Sequence, residues 1–248
     1  MRNKFMVITA LLVAFIMVGA GCTRTGNGTT DGVTVEYDFR ESDHGWTGGF
    51  TDLPVDYEPD SYQLDFGHVE RPAEVGQGRA LMLSGMNRSD DLFMFVTKGL
   101  TAADGIEANT TYRIVFEVEF ATDAPAGAFG VGGPPGEAVW VKVGAAPIEP
   151  MPVEQLDMGD DYYYLLNVDK GRQNEDGENA IRIGDVAKEQ NEEFDVYELK
   201  TLDNADAPLE MTSDSEGNLW LLVGTDSGFE GRTTLYYTSI TATLVPVE

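Results

Sequence analysis

Strict alternation of apolar and polar side chains along two segments constrains the fold of this chain most. In TYRIVFEVEF (residues 111–120), every even-numbered position holds Tyr, Ile, Phe or Val. TTLYYTSITATL (233–244) has a similar pattern, which predicts that Tyr236 lies on the same side as Ile240 and Leu244. A period of two residues is that of a β-strand with one face on the core and the other toward solvent. Both segments are therefore predicted to be strands.

Three other segments are continuously apolar: LFMFV (92–96), YYYLLNV (162–168) and LWLLV (219–223). Such runs predict central strands that are covered on both faces. Clusters of Gly, Pro, Asn and Asp separate the strands, as expected of turns. Helical periodicity is confined to residues 183–199 and suffices for a turn or two. The prediction is an all-β fold, a single antiparallel β-sandwich of the jelly-roll type that spans residues 33–248.

Residues 1–21 have the features of a lipoprotein signal peptide. Arg2 and Lys4 form a basic start, and small residues follow a long apolar stretch. That stretch, residues 5–18, is shorter than the ~20 residues that a membrane-spanning helix needs. These features favour a removed signal over a retained anchor helix.

Cys22 is the only cysteine in the sequence, and it directly follows Gly19, Ala20 and Gly21. This arrangement resembles the lipobox of bacterial and archaeal lipoproteins, although the motif usually has Leu where Gly19 stands. The resemblance implies that Cys22 is lipidated and becomes the mature amino terminus. Residues 22–32 would then be the lipidated cysteine and a flexible tether that has no apolar side chain to bury. The predicted location is extracytoplasmic, with the lipid bilayer as a partner; a plain secretory signal is the alternative.

Acidic side chains greatly outnumber basic ones, with 43 Asp+Glu against 16 Lys+Arg and a formal net charge of −27. Binding to nucleic acid needs cationic side chains on phosphates, so a nucleic acid partner is excluded. An anionic lipid surface would also repel this chain, which leaves the lipid as the attachment. Most of the acids are predicted to form a solvated coat. Lysine is scarce as well, and this combination is typical of proteins that work at high salt.

Five segments distributed over most of residues 36–244 carry a family resemblance. They are DHGWTGGFTD (43–52), SDDLFMF (89–95), GVGGPPGE (130–137), LNVDKG (166–171) and GTDSGFEG (224–231). Through them the chain resembles a group of secreted or lipid-anchored microbial proteins without an assigned activity. Its layout is also similar to that of carbohydrate-binding jelly rolls. The resemblance implies a lectin-like sandwich, but it does not imply a particular sugar or binding residue.

Asp43, His44 and Trp46 form one candidate ligand-binding loop. An indole beside polar side chains suits a sugar, because the ring stacks on a C–H face while the polar groups bind hydroxyls. The other interpretation, which is favoured for this loop, is that Trp46 is buried at the end of the sandwich and His44 belongs to a turn.

Trp140 is the strongest aromatic candidate in the sequence. It alternates with valines in AVWVKV (138–143), so it is predicted to lie on the wetter face of that strand, together with Lys142. Trp220 lies within a continuously apolar run and is predicted to be a core residue.

Asp226, Ser227 and Glu230 follow an apolar strand in GTDSGFEG. A catalytic serine needs a histidine base and an orienting acid. Neither His44 nor His68 lies in the sequence context of a protease histidine. Ser227 is therefore predicted to belong to a structured loop, Asp226 and Glu230 are available to a ligand, and no residue is assigned a catalytic role.

Oxygen-bearing side chains are concentrated in DKGRQNEDGEN (169–179), where Asp169, Asn174, Asp176 and Asn179 surround two glycines. Calcium prefers six to eight oxygen ligands, and glycine lets the backbone wrap around the ion. The spacing differs from that of an EF-hand. A solvated loop is the favoured interpretation, and a site for structural Ca²⁺ is the alternative.

These features together favour a cell-surface lipoprotein whose β-sandwich binds an extracellular ligand without chemistry, with glycans as the favoured class. One alternative is a structural or adhesive protein that binds other surface proteins. A second alternative is a polysaccharide hydrolase or lyase, for which the many acids provide no specific test. An enzyme is the less favoured class.

Overall fold

The computed structural model describes residues 32–156, 161–189 and 193–247. The predicted signal peptide, Cys22 and the tether up to residue 31 lie outside the described residues. None of the helices in these ranges is long and apolar enough to cross a membrane.

Fifteen strands in the described residues form three antiparallel sheets. They are β1 (Val33–Asp38), β2 (Thr47–Thr51), β3 (Leu53–Pro54), β4 (Asp65–Glu70), β5 (Arg79–Met86), β6 (Leu92–Leu100), β7 (Thr111–Thr122), β8 (Val139–Ala146), β9 (Pro152–Leu156), β10 (Tyr162–Leu166), β11 (Ala180–Asp185), β12 (Glu198–Asp203), β13 (Leu209–Thr212), β14 (Leu219–Ser227) and β15 (Arg232–Pro246). The seven-stranded sheet has the order β12–β7–β15–β5–β4, with β13 paired to the other end of β7 and β1 to the other end of β15. The five-stranded sheet has the order β11–β8–β14–β6–β2, and the three-stranded sheet the order β3–β10–β9.

The main hydrophobic core lies between the seven-stranded and five-stranded sheets. Its side chains come from β1, β5, β7 and β15 on one side and from β6, β8 and β14 on the other. The even-numbered positions of residues 112–120 are all buried, which confirms the alternation predicted for β7. Two antiparallel sheets that face each other across one core confirm the predicted all-β sandwich.

The side chains of β15 change phase at a β-bulge. The pairing of β15 with β7 shifts between Tyr237 and Ser239, so Thr238 is an extra residue. Odd-numbered positions are buried before the bulge and even-numbered positions after it. The prediction that Tyr236 shares a side with Ile240 is therefore wrong, because the bulge reverses the alternation.

A second, smaller core covers the outer face of the five-stranded sheet, the face that is turned away from the main core. Phe93 and Phe95 of β6 and Leu222 of β14 pack there against Leu166, with Val168 at the edge. The apolar run 92–96 of β6 is thus covered on both faces, as predicted, whereas the run 219–223 of β14 is covered except at Trp220.

One local prediction is wrong, and another lies partly outside the described residues. The run at 162–168 forms β10 in the three-stranded sheet, where Tyr162 is exposed, because this sheet lies outside the sandwich. The described residues of 183–199 form strand ends and turns, without a helix. A short helix, α1 (Pro59–Tyr62), occurs elsewhere, with proline in its first turn.

Glycines let the aromatic rings of the second core lie close to the five-stranded sheet. A Cβ at Gly49 of β2 would stand 2.3 Å from Cζ of Phe95, and one at Gly224 of β14 would stand 2.9 Å from Cζ of Phe93. The two phenyl rings stack at 5.6 Å between centroids. Any larger residue at Gly49 would therefore displace a buried ring.

Candidate functional site

Five charged side chains meet on the outer face of the five-stranded sheet and are called the buried charge cluster. Lys142 of β8 and Asp226 of β14 project from the sheet, and both side chains are 0% exposed. Lys170 follows β10, Asp52 lies at the corner between β2 and β3, and Asp91 directly precedes β6. Segments that are distant in sequence therefore converge at this site.

Lys170 lies at the centre of the cluster. Its Nζ is 2.7 Å from Oδ2 of Asp226 and 2.9 Å from Oδ2 of Asp52. It also donates to the carbonyl of Gly171 at 3.3 Å and lies 5.0 Å from the ring centroid of Phe93. Three acceptors match the three donors of an ammonium group. Burial alone would lower the pKa of Lys170, but the negative charges of Asp226 and Asp52 outweigh burial and raise it.

Lys142 connects the sheet to the loop that carries Lys170. Its Nζ donates to the carbonyl of Lys170 at 2.7 Å and to that of Glu175 at 2.9 Å, and it lies 3.2 Å from Oδ2 of Asp226. Burial lowers the pKa of Lys142, while the charge of Asp226 opposes that shift. Both lysines thus contact the same carboxylate oxygen.

Asp91 carries a proton at neutral pH. Burial, followed by the charge of Asp226 and a hydrogen bond to it, raises the pKa of Asp91 to about 9. Burial would also raise the pKa of Asp226, but Lys170 lowers it, so Asp226 is the ionised partner. Protonated Asp91 leaves two carboxylates, Asp52 and Asp226, to face two ammonium groups. The charges within the cluster therefore balance.

The loop at residues 169–179 holds Lys170 in place through its own hydrogen bonds. The carboxylate of Asp169 accepts the backbone N–H groups of Gly171 and Glu178, each at 2.9 Å. These hydrogen bonds lower the pKa of Asp169. Gly171 has a φ of 70°, and a Cβ there would stand 2.2 Å from a backbone oxygen of the same loop. Only glycine fits this position.

The cluster has the carboxylates of a metal site, but a lysine occupies the place of the ion. One oxygen from each of Asp52, Asp91 and Asp226 lies within 4.8 Å of the others. Nζ of Lys170 contacts two of these carboxylates directly. The cluster therefore acts as an internal clamp that fastens the 169–179 loop to the sheet.

A cleft of about 540 Å³ opens beside the cluster, with Asp52 and Asp91 in its wall. Two acids beside a cleft are what a glycoside hydrolase requires. Here Asp52 is paired with Lys170, and the proton of Asp91 is bonded to Asp226. Both acids are thus engaged within the protein.

A different part of the outer face forms a cleft of about 490 Å³ around Trp220, called the Trp220 cleft. Trp220 lies near the start of β14 and is half-buried. Its ring packs on Gly99 of β6, where a Cβ would stand 3.2 Å from two ring atoms. The prediction that Trp220 is a core residue is wrong, because the 169–179 loop, which covers other parts of the outer face, does not extend over this end of β14.

Polar groups surround the indole in the Trp220 cleft. They include Thr47, Lys98, Thr101, Glu149, Asp214 and Asn218. Some are held by the protein: Nζ of Lys98 donates to the carbonyl of His44 at 2.7 Å, and Asp214 accepts the backbone N–H of Asn218 at 2.7 Å. An aromatic wall with a few hydroxyl, amide and carboxylate groups is the usual composition of a small-ligand site.

The loop predicted to bind ligand through Trp46 is organised around burial. Trp46 is 2% exposed and packs edge-on against Tyr37 and Phe39 in the core. Nε2 of His44 bonds the carbonyl of Asp38 at 2.8 Å. Asp43 is exposed, and its carboxylate accepts the N–H of Gly45. The structure does not bring these side chains together around a cavity.

The remaining predicted ligand residues lie apart from the Trp220 cleft. Trp140 is half-buried beside Gly228 at the opposite end of the five-stranded sheet, and Glu230 is exposed. Asp226 is inaccessible to any ligand because it is fully buried in the cluster. Ser227 is buried, and its hydroxyl donates to the carbonyl of Phe229 at 3.0 Å. The prediction that it lies in a loop is wrong, because β14 continues through Ser227.

The predicted calcium residues lie in the 169–179 loop, where several of their oxygens already accept hydrogen bonds. Asp169 is used as described above, and Oδ1 of Asp176 accepts the N–H of Arg182 at 2.8 Å. Oδ1 of Asn179 accepts the N–H of Asp169 at 3.0 Å, and Asn174 is exposed. The calcium site stays a prediction.

Most residues of the buried charge cluster were not predicted from sequence, although Lys142 offered a signal. The prediction that Lys142 lies on the wetter face of its strand is wrong, because the 169–179 loop covers that part of β8 and leaves the lysine fully buried. Lys170, Asp52 and Asp91 all lie in polar, turn-like segments, which look solvated when each is considered alone.

No family model matches the chain, and no curated protein matches it. Similar solved structures include TmCBM27, a carbohydrate-binding module studied for specific mannan recognition, with 15% identity, a TM-score of 0.39 and coverage of 87% of this chain and 99% of that chain. The C-terminal family 22 carbohydrate-binding module of Clostridium thermocellum Xyn10B has 12% identity, a TM-score of 0.35 and coverage of 85% and 92%.

A third similar structure is the K1 cleaved adhesin domain of Lys-gingipain from Porphyromonas gingivalis W83. It has 10% identity, a TM-score of 0.33 and coverage of 84% of this chain and 96% of that chain.

Proposed function

We propose that this chain is a surface lipoprotein whose β-sandwich binds an extracellular glycan without chemical turnover. The observation that carries the proposal is the Trp220 cleft, in which an indole supported by Gly99 stands among hydroxyl, amide and carboxylate groups. A ring fixed by packing is pre-organised, so little rotamer entropy is lost on binding. The polar groups would then bind hydroxyls while the ring contacts the C–H face of a sugar.

The absence of turnover in this proposal follows from how the acids are used. Asp52 and Asp226 are ion-paired to Lys170, and Asp91 is hydrogen-bonded to Asp226. A hydrolase would need one acid free to donate to the leaving group and one free to attack or to activate water. In the buried charge cluster these three acids are bonded to Lys170 or to one another.

The membrane attachment rests on the amino-terminal sequence. Residues 1–21 have the signal features and Cys22 the lipobox position, and a polar tether follows. The full sequence has a formal net charge of −27, and the only charged residues that removal of the signal would take away are basic, so anionic lipid repels the body and the lipid on Cys22 would hold it at the surface. Mass spectrometry of the membrane-extracted protein would detect a diacyl-modified Cys22, whereas an unmodified terminus would contradict the anchor.

Affinity electrophoresis tests the binding proposal. The full chain is run in native gels that contain galactomannan, arabinoxylan or mixed-linkage β-glucan. At least one polysaccharide should retard it, and Trp220→Ala should weaken the retardation at least about 10-fold, because aromatic anchors commonly contribute more than about 1.4 kcal/mol. Tyr162→Ala, an exposed aromatic residue outside the cleft, is the matched control and should have no effect.

Two further outcomes would redirect the proposal. Retardation that is unchanged in Trp220→Ala and weakened in Trp140→Ala would transfer the site to the aromatic residue that the sequence favours. Release of reducing ends from any polysaccharide would support the hydrolase alternative, and silence across all of them would contradict glycan binding.

A further inference from the structure

A third cleft, of about 270 Å³, lies beyond the end of β14 that is opposite to Trp220. Two aromatic side chains in its lining are strongly exposed: Phe129 at 103% and Phe194 at 64%. Single exposed apolar residues are common, but exposed phenylalanines that line one cleft together are a feature of recognition surfaces. We call this the Phe129 cleft.

The fold supports the aromatic residues of this cleft from several segments. Phe129 lies in the connection between β7 and β8, and Phe194 in the connection between β11 and β12. Phe229, directly after β14, is partly buried and packs at the edge of the main core. Its ring fills space left open by Gly130 and Gly231, where a Cβ would stand 2.5 and 2.1 Å from ring atoms. The base of the cleft is therefore fixed by packing.

Polar groups complete the Phe129 cleft. Arg232 at the start of β15 is exposed, and its guanidinium has no hydrogen-bond or ion-pair partner within the described residues. Asp123 and Asp195 lie in the same lining, and Tyr197 shares a hydrogen bond with Asp123. A guanidinium with five donors and two carboxylates can bind the hydroxyls of a neutral ligand. An entirely apolar partner would leave these charged groups unpaired.

We propose that the Phe129 cleft is a second glycan-binding site, so that one chain engages two glycan segments. This inference rests on the proposed function, because the ligand class is taken to be the same. The seven residue-to-residue steps from Trp220 to Ser227 span roughly 23 Å at about 3.3 Å per step. The two clefts therefore lie at opposite ends of the sandwich.

Two separated sites give the chain a property that one site cannot provide. Engagement of two segments of one polysaccharide raises avidity by 10²–10⁴ when the geometry permits it. Engagement of two different polysaccharide chains cross-links them. A lipid-anchored protein with this property would cross-link polysaccharide chains at the cell surface as well as bind them.

The experiment combines the two clefts in a set of variants. The full chain, Trp220→Ala, Phe129→Ala/Phe194→Ala and the triple variant are compared in affinity gels with whichever of the three polysaccharides retards the full chain. Turbidity of the same polysaccharide with each variant measures cross-linking. Circular dichroism confirms folding, and Leu199→Ala, an exposed apolar residue on β12, serves as the control.

We expect Trp220→Ala to retain measurable retardation that the triple variant loses. Turbidity should disappear in either single-cleft variant and persist in Leu199→Ala. Complete loss in Trp220→Ala, together with normal binding and turbidity in the Phe129/Phe194 variant, would overturn the second site while leaving the proposed function intact. Retardation of none of the chains would overturn both. A change from dimer to monomer in the Phe129/Phe194 variant, without any change in retardation, would assign the cleft to self-association and overturn the proposal.

Discussion

The ammonium group of Lys170 lies 2.7 Å from Oδ2 of Asp226, and both side chains are buried on the outer face of the five-stranded sheet. The same carboxylate oxygen is contacted from the sheet by Lys142 at 3.2 Å. One aspartate of β14 thus joins a lysine of its own sheet to a lysine of the covering loop. The position of that loop, and with it the second core, depends on charges that are largely withdrawn from solvent.

Replacement of Lys170 by methionine should strongly destabilise the protein. Met fills much of the same volume but leaves Asp226 and Asp52 without their main counter-charge. Removal of one partner from a buried ion pair costs about 3–5 kcal/mol, because the remaining charge stays buried. Urea denaturation at neutral pH measures the change in free energy of unfolding.

The matched control is Lys200→Met. Lys200 pairs with Asp185 at 3.0 Å, and although the side chain of Lys200 is only 10% exposed, the carboxylate that the substitution leaves behind is one-third exposed, so water screens its charge. The expected change is about 1 kcal/mol or less. Equal effects of the two substitutions would show that burial of the cluster does not govern its contribution.

The raised pKa of Asp91 predicts that stability falls as the pH rises. In the folded protein the pKa of Asp91 is about 9, so the proton is retained up to about that pH. In the unfolded chain an aspartate releases its proton near pH 4. Between these values the folded state binds more protons, so the favourable contribution is complete below about pH 4 and is lost by about pH 9. Asp91→Asn supplies an amide donor to Asp226 without a titrating group. It should flatten the decline between pH 5 and pH 9 and raise stability most at the alkaline end.

Asp90→Asn is the control for this titration. Asp90 is the neighbouring residue, is exposed and has a φ of 65°, which asparagine tolerates. Its substitution should leave the pH profile of urea unfolding unchanged. If Asp91→Asn is destabilising at every pH, the proton assigned to Asp91 is absent.

The sandwich was predictable from sequence because apolar and polar side chains alternate along a strand with the same two-residue period as buried and exposed positions. The strand β7 shows this directly, since each even-numbered position from 112 to 120 is buried. The bulge at Thr238 was not predictable, because an extra residue is recognised only from the pairing of its neighbours. The three-stranded sheet was missed because its outward residues, such as Tyr162, are apolar although exposed.

The site was less predictable because its residues meet only through tertiary contacts. Lysine usage nevertheless contained information. All lysines of the described part donate to a backbone carbonyl, whether or not they also pair with an acid: Lys98, Lys142, Lys170, Lys188 and Lys200. The few lysines in the described part of this acidic chain therefore make internal contacts. Asp52, Asp91, Lys170 and Asp226 also lie in four of the five segments that carry the family resemblance.

Gly49→Ala should destabilise the second core. The added Cβ would stand 2.3 Å from Cζ of Phe95, a buried ring that already stacks on Phe93. Overpacking of this kind costs about 1–3 kcal/mol. Gly67→Ala in β4 is the control, because its nearest side-chain atom is at 3.4 Å and the change should be neutral or slightly stabilising. Urea unfolding compares the two, and near-equal midpoints would refute the packing role of Gly49.

Calcium should have little effect on thermal unfolding, although the 169–179 loop has the composition of a calcium site. The carboxylate of Asp169 accepts two backbone N–H groups and Oδ1 of Asp176 accepts a third, so an ion would have to displace these bonds. A ligand at 100 times its Kd would stabilise the fold by about 2.7 kcal/mol, which is several degrees in Tm for a domain of this size. We expect the melting curves in millimolar calcium and in EDTA to coincide. A rise of several degrees in calcium that disappears in Asp176→Asn would establish the calcium site and show that the loop exchanges its internal hydrogen bonds for metal ligands.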